Sequence, residues 1–218
     1  MQRNVKPQRR YESPRRREQA AQTRRDIIAA AGLRFRERGY AVTSMPEIAA
    51  EAGVAVETIY RTFGSKAALF REVVEAALAG GASRADVPVE ERPAIRQVIE
   101  EGDPRRRLEL YAATQPGIHR RAGPLLRALR DARALDPELN ALWQEMEEWR
   151  LRGQGRLAGL LAERGELRPG LSVDEARDII WTLCSLAVHD LLVLERGWSY
   201  ERYEDWLASS LTAALLPG

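Results

Sequence analysis

Two oppositely charged side chains, Glu57 and Arg61, lie one helical turn apart in the segment Val56–Phe63. At about 100° per residue they share one face of a helix, while Ile59 and Phe63 share another. An arginine can donate two hydrogen bonds to a guanine edge, and a glutamate can accept one from a cytosine amine. Alternatively, the two side chains pair with each other on a solvated helix. The two uses are compatible, because such a pair can hold the arginine ready until DNA arrives.

The other outward positions of this segment favour contacts to a nucleic-acid backbone. Val56 and Tyr60 lie on one flank, and Thr58 and Thr62 lie on the other. Tyr60 can donate its hydroxyl to a phosphate or can cover the edge of the core with its ring. Lys66 begins the next predicted helix, where a compact cation and N-terminal amides can meet one phosphate.

These side chains need a scaffold, and residues 43–66 have the pattern of a short helix, a tight turn and a second short helix. Ala49 is the small residue needed where two helices cross. Gly53 tolerates the positive φ of the turn, and Ile59 is the inward apolar anchor. The pattern predicts a helix-turn-helix, which places its second helix in the DNA major groove. A generic helical hairpin fits these spacings less well.

Further residue types recur at fixed positions around this unit: Phe35, Gly39, Tyr40, Thr43, Ser44, Ile48, Ala49, Ala52, Gly53, Val54, Ile59, Tyr60, Phe63, Ser65 and Lys66. With them, residues 23–74 resemble the DNA-binding domain of the tetracycline-repressor (TetR) family. The resemblance implies a DNA interface made of Thr43, Ser44, Ala55, Val56, Glu57, Thr58, Tyr60, Arg61, Thr62 and Lys66. Val56, Glu57 and Arg61 would face bases. Thr43 or Ser44, Tyr60 and Lys66 would touch phosphates. The family often has serine where this chain has Ala55, so a hydroxyl cap is missing there.

The resemblance also implies a ligand-responsive repressor that binds a palindromic operator in double-stranded DNA as a homodimer. In this family a second, helical unit encloses a small-molecule cavity and dimerises through its last two helices. The candidates for lining a cavity around an unidentified effector are Tyr111, His119, Trp143, Met146 and Trp181. The candidates for the dimer interface are Ile180, Leu183, Ala187, Leu191, Leu194, Trp206, Leu207 and Leu211. A packing role is the alternative for each. An architectural or activating DNA-binding dimer without a small-molecule ligand is the alternative function.

Charge is unevenly distributed along the chain. The net charge is +6 in residues 1–79 and −4 in residues 80–218. A basic first third joined to an acidic remainder suits a protein that presents one end to DNA. Residues 1–22 are rich in arginine and poor in apolar residues, which predicts a disordered basic arm. We expect electrostatic affinity from this arm, with minor-groove reading as the alternative.

Alanine, leucine, arginine and glutamate dominate the chain, and no alternating strand pattern stands out, so the predicted fold is all-α. A helix-turn-helix three-helix bundle with a connecting fourth helix is predicted over residues 23–79. A helical ligand-sensing and dimerisation domain is predicted over residues 86–218. Its predicted helices are 91–100, 104–115, 118–134, 137–163, 173–196 and 200–215. The predicted N-caps are Ser44, Asp103, Asp136 and Ser172.

No enzyme motif is recognisable: there is no phosphate-binding glycine loop, no Gly-x-Ser-x-Gly and no His-Glu-x-x-His. Two histidines and one cysteine are too few for most metal sites. We therefore expect no catalytic residue, metal or cofactor, although a carboxylate pair among 32 acidic residues stays open. A single cysteine, Cys184, and the lack of a signal peptide or spanning segment favour a cytoplasmic protein without a membrane partner.

Overall fold

The protein is all-α, as predicted, in a computed structural model that describes residues 14–81, 87–134 and 136–218. Its helices are α1 Pro14–Arg38, α2 Met45–Ala52, α3 Val56–Phe63, α4 Lys66–Ala79, α5 Pro93–Glu100, α6 Pro104–Ala132, α7 Pro137–Glu163, α8 Val173–Leu183, α9 Leu186–His189 and α10 Tyr200–Leu215. A 3₁₀ turn at Val89–Glu91 precedes α5, and a π-helical turn at Asp190–Glu195 follows α9. Within the described residues, none of the helices combines the length and hydropathy needed to cross a bilayer.

Helices α1 to α4 form the N-terminal unit, in which α1 packs against both α2 and α4. Phe35, Ile48 and Ile59 are buried in it and belong to one hydrophobic cluster. An ion pair between Arg38 of α1 and Glu47 of α2, at 2.5 Å, ties two of its helices together. The scaffold that positions α3 is therefore a small packed bundle.

The predicted disordered arm over residues 1–22 is corrected in part. Residues 1–13 lie outside the described residues, but residues 14–22 form the first turns of α1. Proline is tolerated in a first helical turn, and Gln19–Gln22 consists of glutamine and alanine, which favour helix. A helix that grows out of a packed segment needs no core of its own, because its backbone hydrogen bonds are internal.

Helix α6 runs without interruption, whereas the sequence predicts two helices, 104–115 and 118–134, separated around Pro116. An interior proline lacks an N–H donor and usually breaks or kinks a helix. Here Pro116 is buried, and α6 packs against α10, α5 and α4 along its length. Tertiary packing therefore overrides the local signal.

The predicted single helix 173–196 is broken. Helix α8 ends at Leu183, and the Ser185 hydroxyl then caps α9 by accepting from the Val188 N–H over 3.2 Å. A serine side chain can form hydrogen bonds with nearby backbone groups that replace the hydrogen bonds of a continuous helix. This favours the end of one helix and the beginning of another at Ser185. All of the predicted N-caps are confirmed by side-chain hydrogen bonds: Ser44, Asp103, Asp136 and Ser172.

Two hydrophobic clusters organise the interior. The first joins α1–α4 to the end of α6 and the beginning of α7, through residues such as Leu125 and Leu139. The second lies among α5, α8, α10 and the opposite ends of α6 and α7, with Leu108 and Leu161 at its centre. The N-terminal unit thus shares its core with the C-terminal domain, and α6 and α7 connect the two.

Candidate nucleic-acid interface

The turn between α2 and α3 has the predicted geometry. The Ser44 N–H donates to the Glu47 carboxylate over 2.8 Å, and the Ser44 hydroxyl accepts from the Glu47 N–H, so a capping box starts α2. Gly53 ends the helix with a φ of 67°, and its N–H donates to the Ala49 and Ala50 carbonyls. Glycine adopts this left-handed conformation without a steric penalty. The chain can therefore reverse directly into α3.

One face of helix α3 is buried against the bundle, and the opposite face is exposed to solvent. Ile59 is fully buried and Phe63 is half-buried, whereas Glu57 and Arg61 are exposed. Within the described residues no ion pair joins Glu57 to Arg61; instead, Arg61 Nη2 donates to Thr58 Oγ1 over 3.4 Å. The ion-pair alternative is therefore not formed here. Both charged side chains remain open to base edges.

The flanks of α3 are also accessible, with one exception. Tyr60 is 49% exposed, so both of its predicted roles, the phosphate contact and the cover for the core edge, stay open. The Thr62 hydroxyl donates to the Thr58 carbonyl over 2.7 Å, which leaves its oxygen outward as an acceptor. Val56 is half-buried and packs against the first cluster, which limits its reach toward a base. Ala55, at the N-cap, makes no side-chain hydrogen bond, in keeping with the missing hydroxyl.

Thr43 does not reach the surface, which corrects its prediction as a phosphate contact. Its side chain is 1% exposed, and its hydroxyl meets the Gly39 carbonyl at 2.8 Å and the Arg34 carbonyl at 3.2 Å. The last carbonyls of a helix lack intrahelical donors, and the threonine hydroxyl supplies one at the end of α1. Of the two alternatives at this site, Ser44 is the one that is partly accessible.

Lys66 is more constrained than a surface cation. Its Nζ donates to the Tyr40 carbonyl over 2.5 Å and lies 4.2 Å from the centre of the Tyr40 ring. Burial lowers the pKa of the Lys66 ammonium, although Asp136 and Glu47 act in the opposite direction. Burial also raises the pKa of the Tyr40 hydroxyl to about 12. Since an ammonium has three donors, Lys66 retains capacity for a phosphate.

The N-terminal end of α1 runs beside α3, a feature that the sequence analysis missed. A groove of about 550 Å³ between the two helices is lined by residues that include Arg16, Arg24, Thr58, Arg61 and Thr62. Arg24 is bound to Glu72 at 2.5 Å, whereas Arg16 is exposed. The available signal was the helix-favouring Gln19–Gln22, which the high arginine content outweighed. This end of α1 widens the basic edge of the interface.

The five side chains predicted to line a ligand cavity do not all lie together in the structure. Met146 is buried in the first cluster, and Trp143 packs against that cluster. Tyr111 packs against the second cluster. Trp181 lies under Arg150, whose guanidinium carbon is 4.6 Å from the centre of one indole ring. One of these four, Tyr111, hydrogen-bonds the Gln154 side chain and interacts with Tyr203, so it borders the surroundings of the fifth candidate.

That fifth residue, His119, lies in a polar layer between the two clusters. Along α6, Leu108 belongs to the second cluster and Leu125 to the first, and His119 lies between them with 5% of its surface exposed. His189 stacks on His119 with ring centres 4.4 Å apart. Tyr203 meets both imidazoles edge-on, at 6.0 and 5.4 Å. The two histidines of the chain are thus in contact.

Several buried atoms of this layer have no hydrogen-bond partner among the described residues: both ring nitrogens of His119, Nε2 of His189, Oη of Tyr203 and Oε1 of Gln154. Burial lowers the pKa of His119 to about 3, and the charges of Arg150 and Arg127 act in the same direction. Burial also lowers the pKa of His189, although Asp190, 3.1 Å from Nδ1, opposes it. Unpartnered buried polar groups destabilise a fold, and a ligand that supplied hydrogen bonds would relieve this.

The predicted dimer stripe is divided between core and surface. Three members are fully buried in the second cluster of their own protomer and are corrected to core residues: Ile180, Leu207 and Leu211. Leu183 and Trp206 are half-buried. Ala187 is exposed, as are Leu191 at 51% and Leu194 at 53%. The break at Ser185 separates Ile180 of α8 from Leu191 and Leu194 of the π-helical turn, so these residues do not continue one helical face.

Sequence comparison identifies a protein family that the N-terminal unit matches. Residues 23–73 match the family model of bacterial regulatory proteins, tetR family. The predicted resemblance is therefore confirmed for the region that contains α2 and α3. A comparison with curated proteins gives no significant match.

Structure comparison extends the likeness to the whole fold. A protein of Mesorhizobium loti assigned to the TetR family of transcriptional regulators has a TM-score of 0.70 and 24% identity, covering 93% of this chain and 96% of that chain. NalD of Pseudomonas aeruginosa, the secondary repressor of the MexAB-OprM multidrug efflux pump, has a TM-score of 0.67 and 24% identity, covering 90% and 98%. The transcriptional regulator FadR of Bacillus subtilis, solved in complex with stearoyl-CoA, has a TM-score of 0.67 and 21% identity, covering 85% and 96%. At these identities the likeness establishes the fold.

Proposed function

We propose, from the premise that residues 23–73 form a TetR-family DNA-binding region, that this protein is a ligand-responsive repressor that binds a palindromic operator as a homodimer. The observation that carries the proposal is the two-faced α3. Ile59 closes its inner side, while Glu57 and Arg61 project outward without an ion pair to any described residue. A short helix of this kind, presented by a tight turn, suits the major groove.

Within this interface we assign separate roles to bases and phosphates. Arg61 donates to a guanine edge, and Glu57 accepts from a cytosine amine. Tyr60, Ser44 and Lys66 bind phosphates, which fixes the register of α3 without reading sequence. The Lys66 contact is weakened by the bond to the Tyr40 carbonyl, because part of its donor capacity is already used.

A second copy of the chain is the proposed partner of the exposed apolar surface made by Ala187, Leu191 and Leu194. Large exposed apolar side chains in one short segment are typical of an interface. A two-fold contact there would present two copies of α3 to successive major grooves, about 34–36 Å apart. The dimer would then contact both half-sites of a palindrome, whereas a single α3 contacts only one half-site.

The polar layer around His119 and His189 is the proposed effector site. Both ring nitrogens of His119 and the Tyr203 hydroxyl lack partners among the described residues, and the layer is connected to the DNA-binding unit. Asp190 beside His189 pairs with Arg127 of α6 at 3.0 Å, and α6 packs against α4. An effector that displaced His189 would therefore move α6 and, through it, α4. The stearoyl-CoA complex of FadR supports a small-molecule role for this fold.

Selection from a pool of random duplex DNA tests the proposal. Purified protein should enrich an inverted repeat, because two identical copies of α3 read two half-sites. A Glu57→Ala/Arg61→Ala double variant is the control and should lose this motif while keeping non-specific affinity. An architectural dimer would bind the pool without enriching one palindrome. That outcome, or an unchanged motif with the double variant, would contradict the proposal.

A further inference from the structure

A second cavity lies between the N-terminal unit and the C-terminal domain. We call it the interdomain cleft; it has a volume of about 510 Å³ and is lined by residues of α1, α4 and α6 and by the turn after α4. Its rim carries four arginines: Arg25, Arg36, Arg120 and Arg121. Its floor is apolar and includes Ile28, Val73 and Ala76. Among the described residues, none of those that line the cleft is acidic.

The four rim arginines differ from others on the same helices. Arg24, Arg34 and Arg38 of α1 each pair with a carboxylate of α2 or α4 at 2.5 Å. Arg25 and Arg36 form no ion pair within the described part of the chain, although they lie on the same helix. The four cations repel one another, and an anion bound among them would offset this repulsion. One of them, Arg120, also interacts with the Glu201 carboxylate, which lies outside the cleft lining.

Three of the rim arginines contact neutral groups, and the first is Arg25, whose Nη2 donates to Gln22 Oε1 over 2.6 Å. Arg120 stacks over the Tyr200 ring at 4.4 Å, and Arg121 Nε donates to the Ala77 carbonyl over 3.3 Å. Both contacts leave most of the guanidinium donors unused, since each guanidinium carries five N–H groups. Arginine binds carboxylate and phosphate through paired donors, so the rim is suited to such a group.

A glycine, Gly32, forms part of the floor. Gly32 lies inside α1, where glycine destabilises a helix relative to alanine. A Cβ at Gly32 would come within 3.3 Å of Arg36 Nη1 and 3.4 Å of a Val73 methyl group. The glycine therefore leaves room for the Arg36 guanidinium, which packs over it at the edge of the floor.

We propose that the interdomain cleft binds an anionic amphiphile, with a phosphate or carboxylate head on the arginine rim and an apolar body on the floor. The site is separate from both proposed sites. No residue of α2 or α3 lines it, and neither does any residue of the polar layer around His119. Because its walls belong to both parts of the protein, occupancy would bear directly on how α4 sits against α6.

Isothermal titration calorimetry with decyl phosphate, below its critical micelle concentration, tests the proposal. Comparison with two further amphiphiles of the same chain length separates the contribution of the charged head from that of the apolar body. Decanol and decyltrimethylammonium are the neutral and cationic counterparts. Wild-type protein should bind decyl phosphate, and an Arg36→Gln/Arg120→Gln double variant should bind it about tenfold more weakly or worse. Both side chains are exposed, so the variant should fold normally. Decanoate in place of decyl phosphate distinguishes a carboxylate from a phosphate preference.

The matched control is Arg105→Gln, which removes an exposed arginine from α6 about four turns, or roughly 22 Å, before Arg120. It should leave decyl phosphate binding unchanged. Equal binding of decanol, an unaffected double variant or no binding by wild-type protein would overturn the proposal. So would a loss of DNA affinity and salt slope in the double variant, because it would assign these arginines to the DNA backbone. Operator selection without ligand tests the DNA-binding function independently.

Discussion

The candidate sites of the N-terminal unit and of the C-terminal domain differ in where their polar groups point. On α3, Glu57 and Arg61 face solvent, and the buried Thr43 hydroxyl nearby has partners at 2.8 and 3.2 Å. In the C-terminal domain, His119 and Tyr203 turn unpartnered atoms into the interior. Solvent satisfies the first kind of group until a partner arrives, whereas the second kind destabilises the fold until a ligand relieves it. The first region is suited to a large partner and the second to a small enclosed one.

The contrast has mechanical consequences because the two regions are joined. Leu125 and Leu139 of the C-terminal domain lie in the same hydrophobic cluster as the helix-turn-helix. Arg71 of α4 pairs with Glu145 of α7 at 2.5 Å. A change in the polar layer would therefore reach α4 through packed helices instead of a flexible linker.

The largest effect is expected from Leu191→Asp, which charges the exposed apolar surface of the C-terminal domain. If this surface is the interface of a two-fold dimer, the charge meets its own copy in a dry contact. The variant should become monomeric, and operator affinity should fall about a hundredfold or more, because two linked half-sites become one. Sedimentation and operator titration measure the two effects.

Val89→Asp is the matched control for Leu191→Asp, since Val89 is also an exposed apolar residue, at 43%, but lies outside the proposed interface. It should remain dimeric with normal operator affinity. A soluble Leu191→Asp protein that stays dimeric would place the interface elsewhere on the molecule.

The second effect concerns the outward side of α3. Arg61→Ala should weaken operator binding by about 1–3 kcal/mol, or roughly 5- to 150-fold, and relax the preference at one base pair per half-site. Arg105→Ala, far along α6, serves as the control for loss of one positive charge. Titration against a panel of operator variants gives the ranking. The base-reading role is wrong if the Arg61→Ala protein ranks these variants as the wild type does.

The helix-turn-helix could be predicted because its signals are local. Ser44, Gly53 and Ile59 act through their own turns and caps, so their types and spacing nearly determine the backbone. Thr43 shows the limit of this reasoning. The family resemblance implies a phosphate contact at Thr43 or Ser44, but the Thr43 hydroxyl points inward and binds carbonyls at the end of α1.

The C-terminal domain was less predictable because its decisive contacts are distant in sequence. Pro116 has the local signature of a helix break, yet packing against α10 and α5 keeps α6 continuous. Ile180 and Leu211 have the periodicity of an interface, but they find apolar partners within the same chain. The contact between His119 and His189 joins two helices far apart in sequence, so no local pattern reveals it.

The third prediction tests the inward polar groups by pH. The pKa of His119 is lowered to about 3 in the fold, so the folded protein keeps this imidazole neutral while the unfolded chain protonates it. Stability from this group is complete above the unfolded pKa of about 6.5 and is lost as the pH falls, by about 1.4 kcal/mol per pH unit. His119→Phe keeps a ring but binds no proton, so urea unfolding at successive pH values should show a shallower acid dependence. An identical slope in both proteins would mean that His119 is already solvated.

The smallest effect is expected from Tyr60→Phe, which removes one outward hydroxyl from α3 and keeps the ring. Tyr60 is 49% exposed, so its hydroxyl has little role in folding, and the unfolding free energy should not change. Loss of one phosphate hydrogen bond should weaken DNA binding by about 1 kcal/mol, or roughly fivefold. The loss should be equal for operator and unrelated DNA, because phosphates carry no sequence information. Unchanged affinity would restrict Tyr60 to packing, and a loss for the operator alone would move it to the base-reading face. Either result would change which positions of α3 are assigned to base contacts and which only hold the helix in the groove.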